Sequence, residues 1–363
     1  MPYEKFMRQA YVLAKKGVGR TSPNPAVGSV IVKGGRVIAK GWHKKAGGPH
    51  AEIEALKAAG SRAKGSTLFV TLEPCCHFGK TPPCTEAIIA SGLKKVVIGA
   101  SDPNPKVSGK GVAALRAAGI EVTEGVLSPA CSALNEAWNK YITEGLPFVT
   151  LKLAASLDGR IAAAGGESKW ITGIESRRLV HRMRALSDAV MIGAETALND
   201  DPELTVRLAS GRDPVRVVLD SKLRVPVSSK VFSGVREGQG RLIIFASNDA
   251  DEKRASRVKA AGAEVVRLAP GANGLPLKKV LKALAKAGMT SVLVEGGGTL
   301  AASLLRERLI DALTVFYGPM MIGAEGLPMI ACLGLKELKG APRFKNIVVK
   351  KAGDDIIIEA RPN

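Results

Sequence analysis

Apolar residues recur at helical spacing over residues 3–16, then alternate with polar ones over 27–33 and 36–41 around Gly34-Gly35. That pattern predicts an amphipathic helix followed by a hairpin. The first half continues to switch period: helix over 50–59, strand over 67–72, helix over 85–91, strand over 95–100, helix over 111–118 and strand over 120–123. Alternation of this kind specifies an α/β layered sandwich. Ser128-Pro129 opens one more helix reaching about Thr143, and Glu144-Gly145-Leu146-Pro147 then breaks the pattern before a strand over 148–154. A domain boundary belongs there, giving domains 1–145 and 146–363. The second domain resumes alternation, with strands near 189–192, 215–219, 242–246, 264–267, 291–295 and 312–317. It too is read as α/β.

A chain of 363 residues exceeds what one hydrophobic core usually supports, so two domains fit its length as well as its pattern. No stretch of about 18 uninterrupted apolar residues occurs, and the amino terminus lacks the features of a secretory signal, so a cytoplasmic protein without a membrane partner is expected. Three of the five cysteines fall within residues 75–84, which suits a metal site in a reducing compartment better than a disulfide framework. The formal charge of +20 invites a nucleic-acid reading. Its distribution argues against one: residues 1–145 hold 20 Lys and Arg against 10 Asp and Glu, and the remainder 33 against 23. Without a basic tail or helix, a solvated surface or a field that draws in phosphorylated small molecules is the better reading.

Three segments carry candidate chemistry: Pro49-His50-Ala51-Glu52 at a helix start, Glu73-Pro74-Cys75-Cys76 at a strand end, and Pro82-Pro83-Cys84 at the next helix start. They match the His-x-Glu plus Pro-Cys pattern of zinc deaminases. His50, Cys75 and Cys84 would bind Zn2+ and leave a fourth position where the metal lowers the pKa of water to near neutrality. Glu52, which does not ligate, would carry the protons. Residues two apart do not share a helix face, so the pairing of His50 with Glu52 requires an irregular first turn. The cysteines stand nine apart rather than three. A closed structural site, with Cys76 or His77 as fourth ligand, is the alternative.

At larger scale, Thr21-Ser-Pro-Asn-Pro-Ala-Val-Gly28, Gly48-Pro-His-Ala-Glu52, residues 71–84 and Asp102-Pro-Asn-Pro105 resemble the bifunctional deaminase/reductase family of riboflavin biosynthesis. The likeness extends through Lys152-Leu-Ala-Ala-Ser-Leu-Asp-Gly-Arg160, residues 166–172, residues 200–207 and Val294-Glu-Gly-Gly-Gly-Thr-Leu300, nearly the whole chain. It implies a cytidine-deaminase-like α/β/α sandwich followed by a dihydrofolate-reductase-like α/β domain. The first would deaminate a diaminopyrimidinone carrying a ribosylamino phosphate, and the second would reduce the ribose of the product to a ribityl chain. Homo-oligomers, dimers or tetramers, through the reductase half are also implied. On this resemblance Asn24, His43, Lys80, Asp102 and Asn104 line the deaminase substrate site, with Lys80 or His43 meeting the phosphate. Asn24, between two prolines, serves equally well as a turn residue.

The second half has no Gly-x-Gly-x-x-Gly after its first strand, which argues against a Rossmann domain. Residues 291–303 instead run from an apolar strand through glycines into a helix start, a place for a pyrophosphate or merely a tight turn. The resemblance implies NADPH there, contacting Ala154, Trp170, Thr196, Asp200 and Ser221, together with Gly297, Gly298, Thr299, Leu300, Ala301, Ala302 and Ser303. It places Ser168, Arg184, Leu204, Arg207 and Glu295 against the substrate, Arg184 and Arg207 as phosphate clamps. Opening of the ribosylamine to an imine and hydride delivery to its carbon follow from this, with Lys152, Asp158 and Glu295 as candidate acid–base groups. Asp158-Gly159 reads equally as a hairpin turn. A deaminase of transfer RNA bases is the competing reading; an aromatic content of 4% leaves it few stacking platforms.

Overall fold

A computed structural model describes residues 2–79, 82–271 and 274–363. Contacts divide the chain into Met1–Leu146 and Pro147–Asn363. The first unit runs α1 (Pro2–Lys15), β1 (Gly28–Lys33), β2 (Arg36–Trp42), α2 (Ala51–Ala59), β3 (Thr67–Leu72), α3 (Cys84–Ala90), β4 (Lys95–Ala100), α4 (Lys110–Ala117), β5 (Glu121–Thr123), α5 (Ser128–Leu134) and α6 (Glu136–Glu144). Its sheet has the order β2-β1-β3-β4-β5, antiparallel around β1 and parallel from β3 to β5.

Period-2 alternation gives this sheet two buried faces. Ile31, Leu68, Val70, Val96 and Ile98 pack with Ala55 of α2 and Ile88 of α3. Val30, Val32, Phe69 and Val97 point the other way, onto Met7 and Ala10 of α1 and Cys131 of α5. Gly41 lets α2 lie directly on β2, since a Cβ there would stand 2.2 Å from the Ala51 carbonyl oxygen. The helix expected over residues 128–143 is two helices. They meet at Asn135, whose φ of −112° leaves the helical region, because its amide brackets the Ala26 backbone, accepting from its N–H (2.8 Å) and donating to its carbonyl (3.0 Å).

In the second unit come β6 (Phe148–Ser156), β7 (Arg160–Ala162), α7 (Ile174–Leu186), β8 (Ala189–Gly193), α8 (Ala194–Asp200), β9 (Val215–Leu219), β10 (Leu242–Ser247), α9 (Glu252–Ala260), β11 (Glu264–Leu268) and α10 (Leu277–Lys286). They are followed by β12 (Ser291–Val294), α11 (Gly298–Arg306), β13 (Ala312–Gly318), β14 (Leu327–Pro328), β15 (Phe344–Ala352) and β16 (Asp355–Pro362). The main sheet is ordered β11-β10-β9-β8-β12-β6-β13-β16-β15. Neighbours are parallel from β11 to β13, and β16 and β15 close the edge antiparallel. Parallel strands covered on both faces read as apolar runs, as in the wholly buried β10. The carboxyl ends of β8, β12 and β6 lie side by side, where open α/β sheets gather ligands. No helix among the described residues is long and apolar enough to cross a membrane.

Candidate active sites

In the first unit the irregular turn that the sequence required is the N-cap of α2. His50 is extended (φ −72°, ψ 165°), so its side chain leaves from outside the helix while Glu52 sits in the first turn. Cys75 follows β3, and Cys84 begins α3. The loop between them is tied at its base, the Cys84 amide donating to Cys75 Sγ (3.4 Å) and the Thr85 amide to the Cys75 carbonyl (3.2 Å). His50 Nδ1 stands 3.2 Å from Cys84 Sγ and 3.6 Å from Cys75 Sγ. Tetrahedral zinc with ordinary bond lengths puts such N and S atoms about 3.5 Å apart. One imidazole and two thiols are also the right donors, so the residues fit the metal. Cys76 Sγ instead lies 3.7 Å from the Lys106 carbonyl oxygen, and His77 falls outside the ligand cluster.

Glu52 is buried (3% exposed) and faces a cavity of about 240 Å³ together with His50, Cys75, Asn24, His43, Asp102 and Asn104. Burial pushes its carboxyl up to about 7, with the Cys75 thiolate adding to the effect. His43 donates from Nδ1 to the Pro49 carbonyl (3.0 Å), which can only accept, so its Nε2 accepts from Asn24 Nδ2 at 3.1 Å. Burial lowers the His43 pKa, in keeping with this neutral tautomer. The pair fixes the Asn24 amide. Asp102 Oδ1 accepts from the Asn104 amide (2.8 Å), and Asn104 Oδ1 from the Lys106 amide (3.1 Å), so both side chains also build their turn. Lys80 lies outside the described residues.

Sequence reasoning missed Glu73, which holds that turn in place. Its buried carboxylate accepts from the amides of Gly109 (3.1 Å) and Val112 (3.2 Å), and from that of Asp102 at 3.4 Å. Its place in the Glu-Pro-Cys segment was a signal, but long-range amide partners leave no trace in sequence.

The second unit encloses a cavity of about 920 Å³ at the carboxyl ends of its central strands. Ala154, Trp170, Thr196, Asp200, Gly297, Gly298 and Thr299 line it, as do Ser168, Arg184, Leu204, Arg207 and Glu295. The remaining residues expected at the cofactor do not. Leu300, Ala301 and Ala302 are buried, because the first turn of α11 faces inward, and Ser303 Oγ donates to the Thr299 carbonyl (3.0 Å). Ser221 lies beyond the end of β9, where its carbonyl accepts from the Ser247 amide (3.0 Å). A cradle remains at Gly297 and Gly298, where a Cβ on Gly298 would stand 2.5 Å from the Pro328 carbonyl. This glycine-lined helix start and the large cavity fit a dinucleotide.

At the cavity's centre Glu295 accepts from Arg184 Nε (2.6 Å) and Nη2 (3.0 Å), with Lys152 Nζ 3.7 Å away. Burial alone would raise the Glu295 carboxyl, but Arg184 and Lys152 outweigh it and hold it near about 2. Burial likewise lowers the Lys152 pKa, against the pull of Glu295. Arg184 Nη1 donates to the Thr205 carbonyl (3.1 Å), so three of the five guanidinium donors are engaged and two remain at the cavity wall. Asp158 accepts from Ser156 Oγ (2.5 Å) and from the Gly323 amide (2.7 Å), a loop fastener that does not line the cavity. His181, also missed, accepts from the Arg207 amide at Nδ1 (2.9 Å) and lines the same wall.

Residues 1–100 match the cytidine and deoxycytidylate deaminase zinc-binding region, and residues 147–358 match the RibD C-terminal domain. The riboflavin biosynthesis protein RibD of Aquifex aeolicus (strain VF5) is 45% identical over 98% of this chain and 97% of its own length. The chain belongs to the RibD family. It is a bifunctional enzyme, a zinc-dependent deaminase joined to an NADPH-dependent reductase. The first crystal form of Acinetobacter baumannii RibD superposes with a TM-score of 0.90 at 39% identity, covering 100% of this chain and 99% of that one. A diaminohydroxyphosphoribosylaminopyrimidine deaminase/5-amino-6-(5-phosphoribosylamino)uracil reductase of Thermotoga maritima gives 0.86 at 43% identity, covering 100% and 99%.

Proposed function

We propose that the first unit deaminates a diaminopyrimidinone carrying a ribosylamino phosphate, and that the second reduces the ribosyl chain of the product to ribityl. The observation that carries the first step is a buried carboxylate, Glu52, beside a His-Cys-Cys set at the floor of one cavity. In this reading His50, Cys75 and Cys84 hold Zn2+, whose contribution is to lower the pKa of water. Glu52, which holds no metal, accepts a proton and returns it to the departing amino group. Asn24 and Asp102 read the pyrimidine edge, and the Asn24–His43 pair keeps the amide oriented before substrate arrives. Lys80 is assigned the phosphate by resemblance.

In the second unit NADPH supplies hydride. The residues hold the two partners in one cavity, with α11 offering its first amides to the cofactor and Ser168 and Arg207 facing the pyrimidine. Lys152, buried and near Glu295, is the group placed to give a proton. We further infer that copies associate through this unit, because the edge strand β15 exposes Ile347, Val348 and Val349 together. A reducing cytoplasm suits the five free thiols, two of which must stay reduced to ligate metal.

The test is a pair of substitutions with zinc content and ammonia measured together. Cys84→Ala is expected to lose zinc and ammonia release alike. Glu52→Gln is expected to keep zinc at the wild-type stoichiometry while ammonia release falls by about 100-fold or more. Ammonia release at the wild-type rate by Glu52→Gln would remove the carboxylate from the mechanism.

A further inference from the structure

The reductase cavity is lined by six cations among the described residues, and five of them are engaged. Arg184 and Lys152 face Glu295. Arg207 pairs with Glu203, Lys230 with Asp201 at 3.6 Å, and Lys169 Nζ donates to the Asp200 carbonyl at 3.3 Å. Arg177 differs. Its guanidinium makes no hydrogen bond or ion pair among the described residues, and its Nε is buried without a partner. Its one contact of note is the Trp170 ring, whose centroid lies 4.1 Å from the guanidinium carbon.

Stacking engages only the face of a guanidinium; its N–H donors lie in the plane, at the edge. The ring therefore holds the group flat and costs it none of its hydrogen-bonding capacity. The Nη donors have no acceptor among the described residues, and at the cavity wall an arriving ligand oxygen can take them. The planar fork matches the oxygens of a phosphate two at a time. Trp170 is itself 64% exposed, so the stacked pair stands at the open side of the cavity, where a ligand reaches it.

We propose that Arg177, braced on Trp170, is a phosphate-binding residue of the reductase cavity. This rests on the reductase reading, since both ligands of that reaction carry phosphate: a monoester on the pyrimidine and a pyrophosphate in the cofactor. The shared chemistry is a phosphate oxygen meeting the free edge of the guanidinium.

Calorimetric titration of the full chain, wild type against Arg177→Gln, tests it. The ligands are the deaminated phosphoribosylamino-pyrimidine, its dephosphorylated counterpart, and NADPH, each added alone so that no turnover occurs. One phosphorylated ligand should bind about 10- to 100-fold more weakly to the variant, while the dephosphorylated pyrimidine binds as before. Weaker pyrimidine binding with NADPH unchanged assigns the monoester; the reverse assigns the pyrophosphate. Arg177→Lys, which keeps the charge but not the fork, should fall between the two and serves if Arg177→Gln fails to fold. Unchanged affinity for both phosphorylated ligands overturns the proposal, as does an equal loss for the dephosphorylated one. Failure of wild type to oxidise NADPH with the intermediate is a separate result and strikes the reductase reading itself.

Discussion

Glu295 is 7% exposed at its side chain and lies between two cations, which makes its charge a structural element as well as a site feature. Removing it leaves Arg184 and Lys152 buried without a counter-charge, a change that costs on the order of 3–5 kcal/mol. Glu295→Gln should therefore lower the melting temperature of the reductase unit. The sign with pH follows from a folded carboxyl near about 2 against an ordinary 4.5. The contribution is complete above pH 4.5 and is lost as pH falls towards 2. The melting gap between wild type and Glu295→Gln should accordingly be widest above that window and close within it. A gap that is the same at every pH would mean the carboxylate is not paired as described. This pairing also marks where residue-level reading stops. His50, Cys75 and Cys84 were legible as a set because their residue types are zinc donors, and the fold brings their donor atoms within 4.8 Å of one another. Arg184 and Arg177 are chemically identical in the sequence, and only the fold reveals that one is paired with a buried carboxylate and the other stacks on an indole ring.

Elements were most legible where burial is strongest. The expected strands 67–72, 95–100 and 215–219 coincide with β3, β4 and β9, each rich in buried β-branched or aliphatic residues. The break at Asn135 was not legible, because helix propensity runs through it and the force that stops the helix comes from the Ala26 backbone, 109 residues earlier. Nor were β15 and β16. In β15 nearly every residue is exposed, so neither face carries the alternation by which strands are recognised. An edge strand bearing Ile347, Val348 and Val349 among lysines is the surface expected to be covered by a second copy. Ile347→Lys combined with Val349→Lys should lower the mass measured by light scattering while leaving the melting temperature of dilute protein nearly unchanged. An unaltered mass would place the association elsewhere.

Across the whole molecule the positive charge is shared equally, an excess of 10 in residues 1–145 and of 10 beyond. A field of this kind favours the capture of phosphorylated small molecules at both sites. Each unit has its own core and its own cavity, so the two reactions are chemically separable while the product of one is the substrate of the other. Deamination precedes reduction. The measurement that tests it most directly follows NADPH absorbance and ammonia together, with the diamino substrate given to wild type and to Glu52→Gln. Wild type should release ammonia first and then oxidise NADPH; the variant should do neither until supplied with the deaminated intermediate, which it should reduce at the wild-type rate. NADPH oxidation by Glu52→Gln on the diamino substrate, or ammonia release by wild type with no oxidation following it, would contradict the account.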